Sequence, residues 1–458
     1  MKVIFVTASE KAVIKQWKPR YKKNVYLYLW IYGILGAVTG ITNDAALSYF
    51  DIVAPHLISG LNIFNAITAL LMSLMIVTVH DFGYRKILLV LPPLTSIFLF
   101  LTTVTQNQVI IMFSYIISWT AIGVYDLMYP LMWTSYVPKE IRTKMFTVVM
   151  VVNLVCQTIL TFIGGKAVVW FFSLLQGISY DSASNLSAHP QAMYGMMLTN
   201  YTNAYRWVLI ATAIFNMLAF FLAFFIKDEP QDYRTVDKKK AETPEEKKAA
   251  FKALINKDTL MWIAYIAGIQ LGARLVVPYI PIYLNDFLHI PRGITSTINT
   301  FQTAAMFIGY FFAPFLAKKL GAIVSIAAGT LTCAPLMFMM ANGRNFGTGV
   351  TLFITVGVLL FLRSGLANAT MPIQQEIQMV IVDKDMRPAF TAVVQIAYAV
   401  IGIVDGLFTE FYLLRKPIGY SYAYYIATAL YVILSLVLLF GFTKKYNWIL
   451  NAKKDKTE

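Results

Sequence analysis

A polar interruption near the middle of the chain is the feature that most constrains its fold. Residues 227–258 read KDEPQDYRTVDKKKAETPEEKKAAFKALINKD, and a long apolar block lies on each side of them. The hydrocarbon core of a bilayer is about 30 Å thick, so a helix that crosses it needs about 20 apolar residues. Residues 227–258 are too highly charged to form such a helix. The sequence therefore predicts two sets of membrane helices joined by a linker outside the membrane.

The composition agrees with a chain that lies mostly inside a membrane. Of the 458 residues, 58% are hydrophobic and 13% are charged, and the mean hydropathy is +0.63. These values are outside the range of soluble globular domains. Each apolar block divides into six segments of membrane length, so we expect an all-α membrane protein with twelve transmembrane helices. The predicted spans are 24–47, 55–79, 86–104, 108–133, 144–172, 204–226, 258–284, 293–316, 322–341, 348–372, 389–413 and 420–443.

Positive charges are distributed unevenly between the two predicted sides of the membrane. Thirty of the 38 Lys and Arg residues fall in the tails and loops on the side of the N-terminus, whereas five fall on the opposite side. Cationic loops stay in the cytoplasm during insertion, so we expect both termini and the linker to be cytoplasmic and the protein to lie in the plasma (cell) membrane. The net charge of +15 is thus a topology signal and not a sign of nucleic-acid binding. The predicted regions are a tail over 1–23, a bundle over 24–226, a linker over 227–257, a bundle over 258–443 and a tail over 444–458.

Two stretches, one in each half, match without gaps and indicate an internal repeat. The segment from Gly123 to Pro130 aligns with the segment from Gly365 to Pro372, and Asp126 corresponds to Asn368. The loops that follow also match, with VPKEIR ending at Arg142 in one half and VDKDMR ending at Arg387 in the other. We therefore expect two pseudo-symmetric six-helix bundles, an arrangement that many secondary transporters use to place a site near the bilayer midplane.

The chain resembles the major facilitator superfamily over nearly its whole length. The resemblance is carried by VVPYIPIYLNDFL at the end of the seventh span, AYRWVLI at the start of the sixth, and Arg142 after the fourth. The family's loop between the second and third spans survives partly as HDFGYRK. The resemblance implies gating charges at Asp81, Arg85, Arg142 and Arg387 that pair and separate as the protein opens to each side. The alternative is that these are ordinary flanking charges of cytoplasmic loops.

Amides and hydroxyls recur at helical spacing on four of the predicted spans. Because an unpaired polar group in hydrocarbon costs several kcal/mol, such stripes mark faces that point inward. Hydrogen bonds between helices, without any ligand, are the alternative explanation for each single amide. The stripe residues that we assign to a substrate path are Asn153, Gln157, Asn299, Gln302 and Gln395.

Ionisable residues inside the spans are the sharper signal, because a charge at the centre of a membrane helix costs at least about 2.5–3.5 kcal/mol. Asp126 is the expected proton carrier, and a permanent ion pair with an Arg is the alternative. Arg274 and Arg363 suit an anionic substrate, with pairing to a carboxylate as the other possibility. The remaining predicted substrate contacts are Asp44, Tyr129, Trp133, Gln270, Asn368 and Asp405.

These features predict a secondary transporter that moves a small organic solute, anionic or sugar-like, by alternating access and with proton coupling. We expect a monomer in the lipid bilayer with no cofactor and no metal, because the sequence has no phosphate-binding loop and its four histidines form no metal-ligand spacing. Three alternatives stay open: a translocase for lipids or other amphiphiles, a membrane-embedded enzyme, and a receptor on the same scaffold that does not transport.

Overall fold

The computed structural model describes residues 16–77, 82–138, 141–233, 256–382 and 387–449. Within these ranges every regular element is helical, and most of the predicted linker lies outside them. The long helices are α1 (Pro19–Val53), α2 (Leu61–Val77), α3 (Tyr84–Val104), α4 (Gln108–Tyr136), α5 (Arg142–Gln176), α6 (Gly195–Ala223), α7 (Lys257–Phe287), α8 (Arg292–Leu320), α9 (Ala322–Ala341), α10 (Gly349–Ala369), α11 (Arg387–Phe408) and α12 (Gly419–Tyr446).

Ten helices of the described ranges are long and apolar enough to cross a membrane. The chain is therefore an integral, multi-pass membrane protein. Helices α2 and α8 are outside this set: only Leu61–Met72 of α2 forms a short apolar helix, and α8 carries polar residues along its first half.

Several helices extend past the ends that hydropathy predicts. Helix α1 runs from Pro19 to Val53, and a π-helical turn at Thr42–Ala46, which contains Asp44, lies within it. Helix α7 similarly ends in a π-helical turn at Tyr283–Phe287. Single π turns within α-helices are frequent at functional sites. Helix α6 begins nine residues before its predicted start, and the preceding connection contains a further short helix over Tyr180–Leu186.

The described residues form two compact units. One contains the described parts of Met1–Leu57, Ile67–Gly177 and Met196–Lys238, and the other those of Ile58–Ala66, Ile178–Gly195 and Lys239–Glu458. The core of the first unit joins α1, α3, α4 and α6. The second unit has one core around α7, α9, α10 and α12 and another that also includes α11. The predicted domain boundaries stay predictions, although two short segments belong by contact to the unit that does not contain their chain neighbours.

Both units use the same device at the start of an equivalent helix. Gly83 precedes α3 with φ 82° and Gly321 precedes α9 with φ 82°, a conformation that favours glycine. The segment after the unit's last helix then binds the exposed backbone N–H groups: Asp228 accepts from Arg85 N at 2.9 Å, and Asn447 accepts from Val324 N at 2.9 Å. This correspondence is an observation independent of the sequence repeat and agrees with it.

In the first unit, α1 and α5 approach until their backbones touch. A Cβ atom at Gly36 would overlap the carbonyl oxygen of Asn153, and one at Gly40 would overlap that of Gln157. At the same seam, Thr161 Oγ1 donates to Gly40 O at 3.1 Å. Small residues allow this approach, which is the usual basis of helix association in membranes.

The connection between α5 and α6, residues 178–195, docks on the second unit and is called the strap here. Asn285 Nδ2 donates to Ser187 O at 2.8 Å, and Arg292 N donates to Ser187 Oγ at 3.0 Å. The imidazole rings of His189 and His289 lie 4.8 Å apart beside these bonds. Burial, His189 and the guanidinium of Arg344 lower the pKa of His289 below its usual range. The hydrogen bond of His289 to the backbone of Ala188 and the charge of Asp286 act in the opposite direction without reversing this effect.

Substituting Gly36 tests the seam. We expect Gly36→Ala to lower the free energy of unfolding by about 1–3 kcal/mol, because the added methyl group forces two backbones apart. Gly357→Ala is the matched control: a Cβ at Gly357 meets only Ile298 Cγ1, at 3.7 Å. The readout is thermal unfolding of detergent-solubilised protein, and equal stability of the two variants would contradict close packing at Gly36.

Acidification is expected to release the strap. The pKa of His289 is lowered when the strap is docked, so docking is strongest above about pH 6.5 and weakens as pH falls below that value. Hydrogen exchange of residues 178–195 should be faster at pH 5.5 than at pH 7.5, and His289→Gln should flatten this dependence. His56→Gln is the control, and an unchanged pH dependence in His289→Gln would argue against the histidine pair.

Candidate functional site

Asp126 lies at the centre of a polar cluster in the first unit. Tyr32 OH on α1 donates to Asp126 Oδ1 at 2.6 Å, and the Asp126 side chain still remains exposed. The charged form of a carboxylate is too costly to face lipid in the middle of a membrane helix. Its exposed surface is therefore expected to face water, where the carboxylate can take up a proton or contact a polar solute.

Aromatic rings surround Asp126, and they differ in exposure. Tyr129 is half-buried and packs on Tyr32 with ring centroids 5.4 Å apart. Trp133 is fully buried and packs on Tyr28 at 5.7 Å. Of the two predicted aromatic contacts, only Tyr129 thus has surface that a solute can reach in this conformation, and Trp133 belongs to the core.

The predicted path residues on α5 face α1. Asn153 Nδ2 donates to Tyr32 O at 2.9 Å. The side-chain hydroxyl of the same tyrosine donates to Asp126. Gln157 is half-buried, and its backbone oxygen lies at Gly40. Asn153 therefore forms a hydrogen bond between helices, which is the alternative given above for single amides. This hydrogen bond positions Tyr32.

A second polar cluster, in the second unit, is built around Asp405 on α11. Asp405 is fully buried, and Asn62 Nδ2 donates to its Oδ2 at 2.5 Å. The same amide reaches Arg274 O at 3.2 Å and Tyr279 OH at 3.4 Å. Thr409 Oγ1 donates to Ser59 O at 2.9 Å. The cluster thus joins α7 and α11 to the first turns of α2, which belong to this unit.

Arg274 supplies the positive charge of this second cluster. Its guanidinium lies over Gly402, one turn before Asp405, and interacts electrostatically with the Asp405 carboxylate. Gln270, one turn before Arg274, lies close to the hydroxyl of Tyr398. The electrostatic interaction with Asp405 agrees with the pairing of Arg274 to a carboxylate, and a role of Arg274 towards a substrate stays a prediction. Asp405 Oδ1 is buried and accepts no hydrogen bond, so the carboxylate retains capacity for a proton.

Arg363 and Asn368, both on α10, lie apart from this cluster. Arg363 is only 4% exposed and sits in the core near Cys333, Tyr424 and Tyr431. Asn368 Nδ2 donates to Ser364 O of its own helix at 2.8 Å. The residue that the repeat aligns with Asp126 is therefore engaged locally.

The remaining predicted contacts are scattered. Asp44 is buried in the π turn of α1, Asn299 is buried on α8, and Gln395 is exposed on α11. Gln302 on α8 is half-buried, with an Oε1 atom that accepts no hydrogen bond.

Only one predicted gating charge can be located by its side-chain contacts. Arg85 begins α3, and its Nη2 donates to Phe224 O at 3.2 Å. Asp81 lies outside the described residues, and for Arg142 and Arg387 only the backbone is described, at the first positions of α5 and α11. The gating roles stay predictions.

Tyr32 is the functional candidate that the sequence reasoning missed. A signal was present, because Tyr28 and Tyr32 are one helical turn apart on α1. Neither tyrosine was selected, because the span is otherwise apolar and only its one carboxylate, Asp44, was considered. Among the described residues, no group of three or more His, Cys, Asp or Glu side chains is placed to hold a metal ion.

Comparison with known proteins identifies similarity in both sequence and fold. The family model described as Major Facilitator Superfamily matches residues 24–406. A solved variant of the nucleoside transporter NupG superposes with a TM-score of 0.66 at 15% identity, covering 92% of this chain and 100% of that one. A bacterial homologue of the human lysosomal transporter Spinster gives 0.64 at 14%, and a D-xylose–proton symporter gives 0.63 at 12%, each covering 92% of this chain and 97% of the other. A search of curated protein sequences finds none that matches.

Removing the amide of Asn62 tests the second cluster. Asn62→Leu leaves the buried Asp405 carboxylate without its hydrogen-bond donor, and we expect a loss of about 1–3 kcal/mol in the free energy of unfolding. The losses of Asn62→Leu and Asp405→Leu should be less than additive in the double variant, because both single changes break the same hydrogen bond. Asn368→Ala, whose amide bonds its own helix, is the control and should change stability less. Additive losses in the double variant would contradict the pairing.

Proposed function

Because the chain belongs to the Major Facilitator Superfamily, we propose that it is a secondary active transporter with twelve transmembrane helices, α1–α12, in two pseudo-symmetric bundles. The bundles are residues 24–226 and 258–443, with a linker over 227–257 and tails over 1–23 and 444–458. Ten apolar helices and the matching starts of α3 and α9 support this plan. One bundle moves against the other, so that the site opens to each side in turn.

The protein acts in the plasma membrane as a monomer, with both termini in the cytoplasm. Thirty of the 38 Lys and Arg residues on the side of the N-terminus support this orientation. The family and the solved relatives consist of transporters, which supports transport and not catalysis as the function. No cofactor enters the proposal, because an ion gradient supplies the energy.

The solute is a small polar organic molecule of the size of a nucleoside or a sugar. Of the three solved relatives described above, two have printed names that give a substrate, a nucleoside and D-xylose. In this chain, the half-buried ring of Tyr129 beside Asp126 offers the combination of apolar face and hydrogen-bonding group that suits a sugar ring or a nucleobase.

The observation that carries proton coupling is the exposed Asp126 carboxylate with its Tyr32 hydrogen bond. A carboxylate in a membrane helix is most stable when neutral in a dry environment and when charged in a wet one. If alternating access changes the hydration of Asp126, the carboxylate binds a proton on one side of the membrane and releases it on the other. Its repeat counterpart Asn368 cannot titrate, so coupling is asymmetric between the halves.

Translocation of a lipid or another amphiphile is the less favoured function. It requires a cavity with a mostly apolar lining, whereas the clusters around Asp126 and Asp405 present carboxylates, amides and hydroxyls. The nucleoside and the D-xylose in the printed names of two solved relatives are likewise polar.

Uptake into proteoliposomes tests the function, with uridine and D-xylose as probes and a fluorescent phospholipid as the rival substrate. We expect accumulation of one polar probe under an inward proton gradient. Asp126→Asn should abolish accumulation but preserve exchange of probe at equal concentrations. Tyr32→Phe should weaken proton-driven uptake about tenfold, because a hydrogen bond to a charged group is lost.

Asp181→Asn, which changes an exposed carboxylate of the strap, is the matched control and should behave as the parent. Transfer of the phospholipid without uptake of either polar probe would overturn the proposed solute class. Full proton-driven accumulation in Asp126→Asn would overturn the assignment of the proton carrier.

A further inference from the structure

Tyr32 is the hydrogen-bond donor to the proposed proton carrier, and residues of α1 and α4 fix its side chain. Its hydroxyl donates to Asp126 Oδ1 at 2.6 Å. Its ring stacks on Tyr28, one turn earlier on α1, with centroids 5.9 Å apart and planes at 16°. The ring also contacts that of Tyr129 on α4, at 5.4 Å. Tyr32 is only 5% exposed, so these contacts leave its ring little freedom to turn.

The backbone of Tyr32 is held by a different helix, α5. Asn153 Nδ2 donates to Tyr32 O at 2.9 Å. One turn further along α1, a Cβ atom at Gly36 would overlap the backbone of the same asparagine. Asn153 therefore contacts α1 at two successive turns, with its side chain at Tyr32 and its main chain at Gly36. At this level, α5 cannot move along α1 without disturbing Tyr32.

A second hydrogen bond of the same kind joins the two helices further along. Thr161 Oγ1 on α5 donates to Gly40 O on α1 at 3.1 Å. Gly40 has no side chain and lies about two turns of α1 beyond Tyr32. Both bonds hold α5 to α1, but of the two only the bond of Asn153 ends on a residue that contacts the carboxylate. This difference separates a role in packing, which both bonds have, from a role towards Asp126.

We propose that Asn153 is a positioning residue that controls the proton affinity of Asp126 through Tyr32. The inference rests on the proposed role of Asp126 as the proton carrier and extends it to α5. A hydroxyl that donates to a carboxylate stabilises the charged form and so lowers its affinity for a proton. With the Asn153 bond in place, Tyr32 stays on Asp126 and the carboxylate releases its proton readily. When that bond is lost, the hydrogen bond of Tyr32 weakens and the carboxylate keeps its proton.

The position of α5 thereby becomes a variable to which the proton carrier responds. Asp126 is exposed, so a change in hydration acts on it directly. A shift of α5 acts on it indirectly, through Asn153 and Tyr32. Because a hydrogen bond weakens steeply as its distance and angle depart from the optimum, a small displacement of α5 changes the proton affinity without any movement of the carboxylate.

Infrared spectroscopy of the full-length protein in lipid vesicles tests the inference without a solute. The carbonyl band of protonated carboxyl groups is followed as a function of pH, and the part that is lost in Asp126→Asn is assigned to Asp126. We expect Tyr32→Phe to raise the pH of half-protonation by about 1–2 units, because a hydrogen bond to the charged form is lost. Asn153→Leu, which removes the amide and keeps a side chain of similar size, should raise it by about 0.5–1 unit.

Thr161→Val is the matched control, because it removes the other hydrogen bond from α5 to α1 and should titrate as the parent does. The double variant Asn153→Leu/Tyr32→Phe should titrate as Tyr32→Phe alone, because Asn153 acts through the Tyr32 hydroxyl. If Asn153→Leu does not fold, Asn153→Ala, which leaves more space at the seam, takes its place.

Three outcomes would overturn the inference and leave the proton carrier intact. The first is an unchanged pH of half-protonation in Asn153→Leu beside a shifted one in Tyr32→Phe. The second is an equal shift in Thr161→Val, and the third is a shift in Asn153→Leu that adds in full to that of Tyr32→Phe. If no titrating band depends on Asp126, the proposed proton carrier is itself wrong, and the inference fails with it.

Discussion

The absence of water in the hydrocarbon core is the constraint on which the rest of this structure depends. Every polar group in that region must find a partner in the protein or lie against a hydrated surface. Most polar side chains in the described helices do so by donating a hydrogen bond to a backbone carbonyl. Asn153 and Thr161 on α5, for example, donate to carbonyl oxygens of α1. Two carboxylates differ from these: Asp126 is exposed, and Asp405 has a buried Oδ1 atom that accepts no hydrogen bond, so chemistry beyond packing is expected there.

The clusters around Asp126 and Asp405 differ in exposure and in partners, so we expect them to have different roles in transport. Asp126 is exposed and bound by a single tyrosine, so it can exchange a proton with water and still contact a solute. Asp405 is enclosed and bound by Asn62 next to Arg274, so it links three helices and holds a charge balance. Glycines allow the helices of each cluster to approach closely. A Cβ atom at Gly36 on α1 would overlap the backbone of Asn153, and one at Gly402 on α11 would overlap the guanidinium of Arg274.

Much of the fold was accessible from sequence because it follows from hydropathy and repeat alignment. The membrane helices, the family and the match between the halves required only periodicity and motif order. The π turn at Asp44 was not predictable, because it depends on how α1 packs and not on local preference. The site was predicted as a list of polar and charged residues, but hydropathy cannot tell which of them meet. From the sequence, Trp133 and Arg363 were expected to line the same path as Asp126. In the structure both are buried in cores, and Tyr32 is the residue that forms a hydrogen bond with Asp126.

The central claim is that Asp126 faces water and not lipid or sealed core. The direct measurement is thiol labelling in membranes with a charged, membrane-impermeant maleimide, after Cys156 and Cys333 are replaced by serine. The account predicts that Asp126→Cys reacts, whereas Phe221→Cys, an exposed apolar position on α6, does not. Rapid labelling at position 221 with none at position 126 would contradict it.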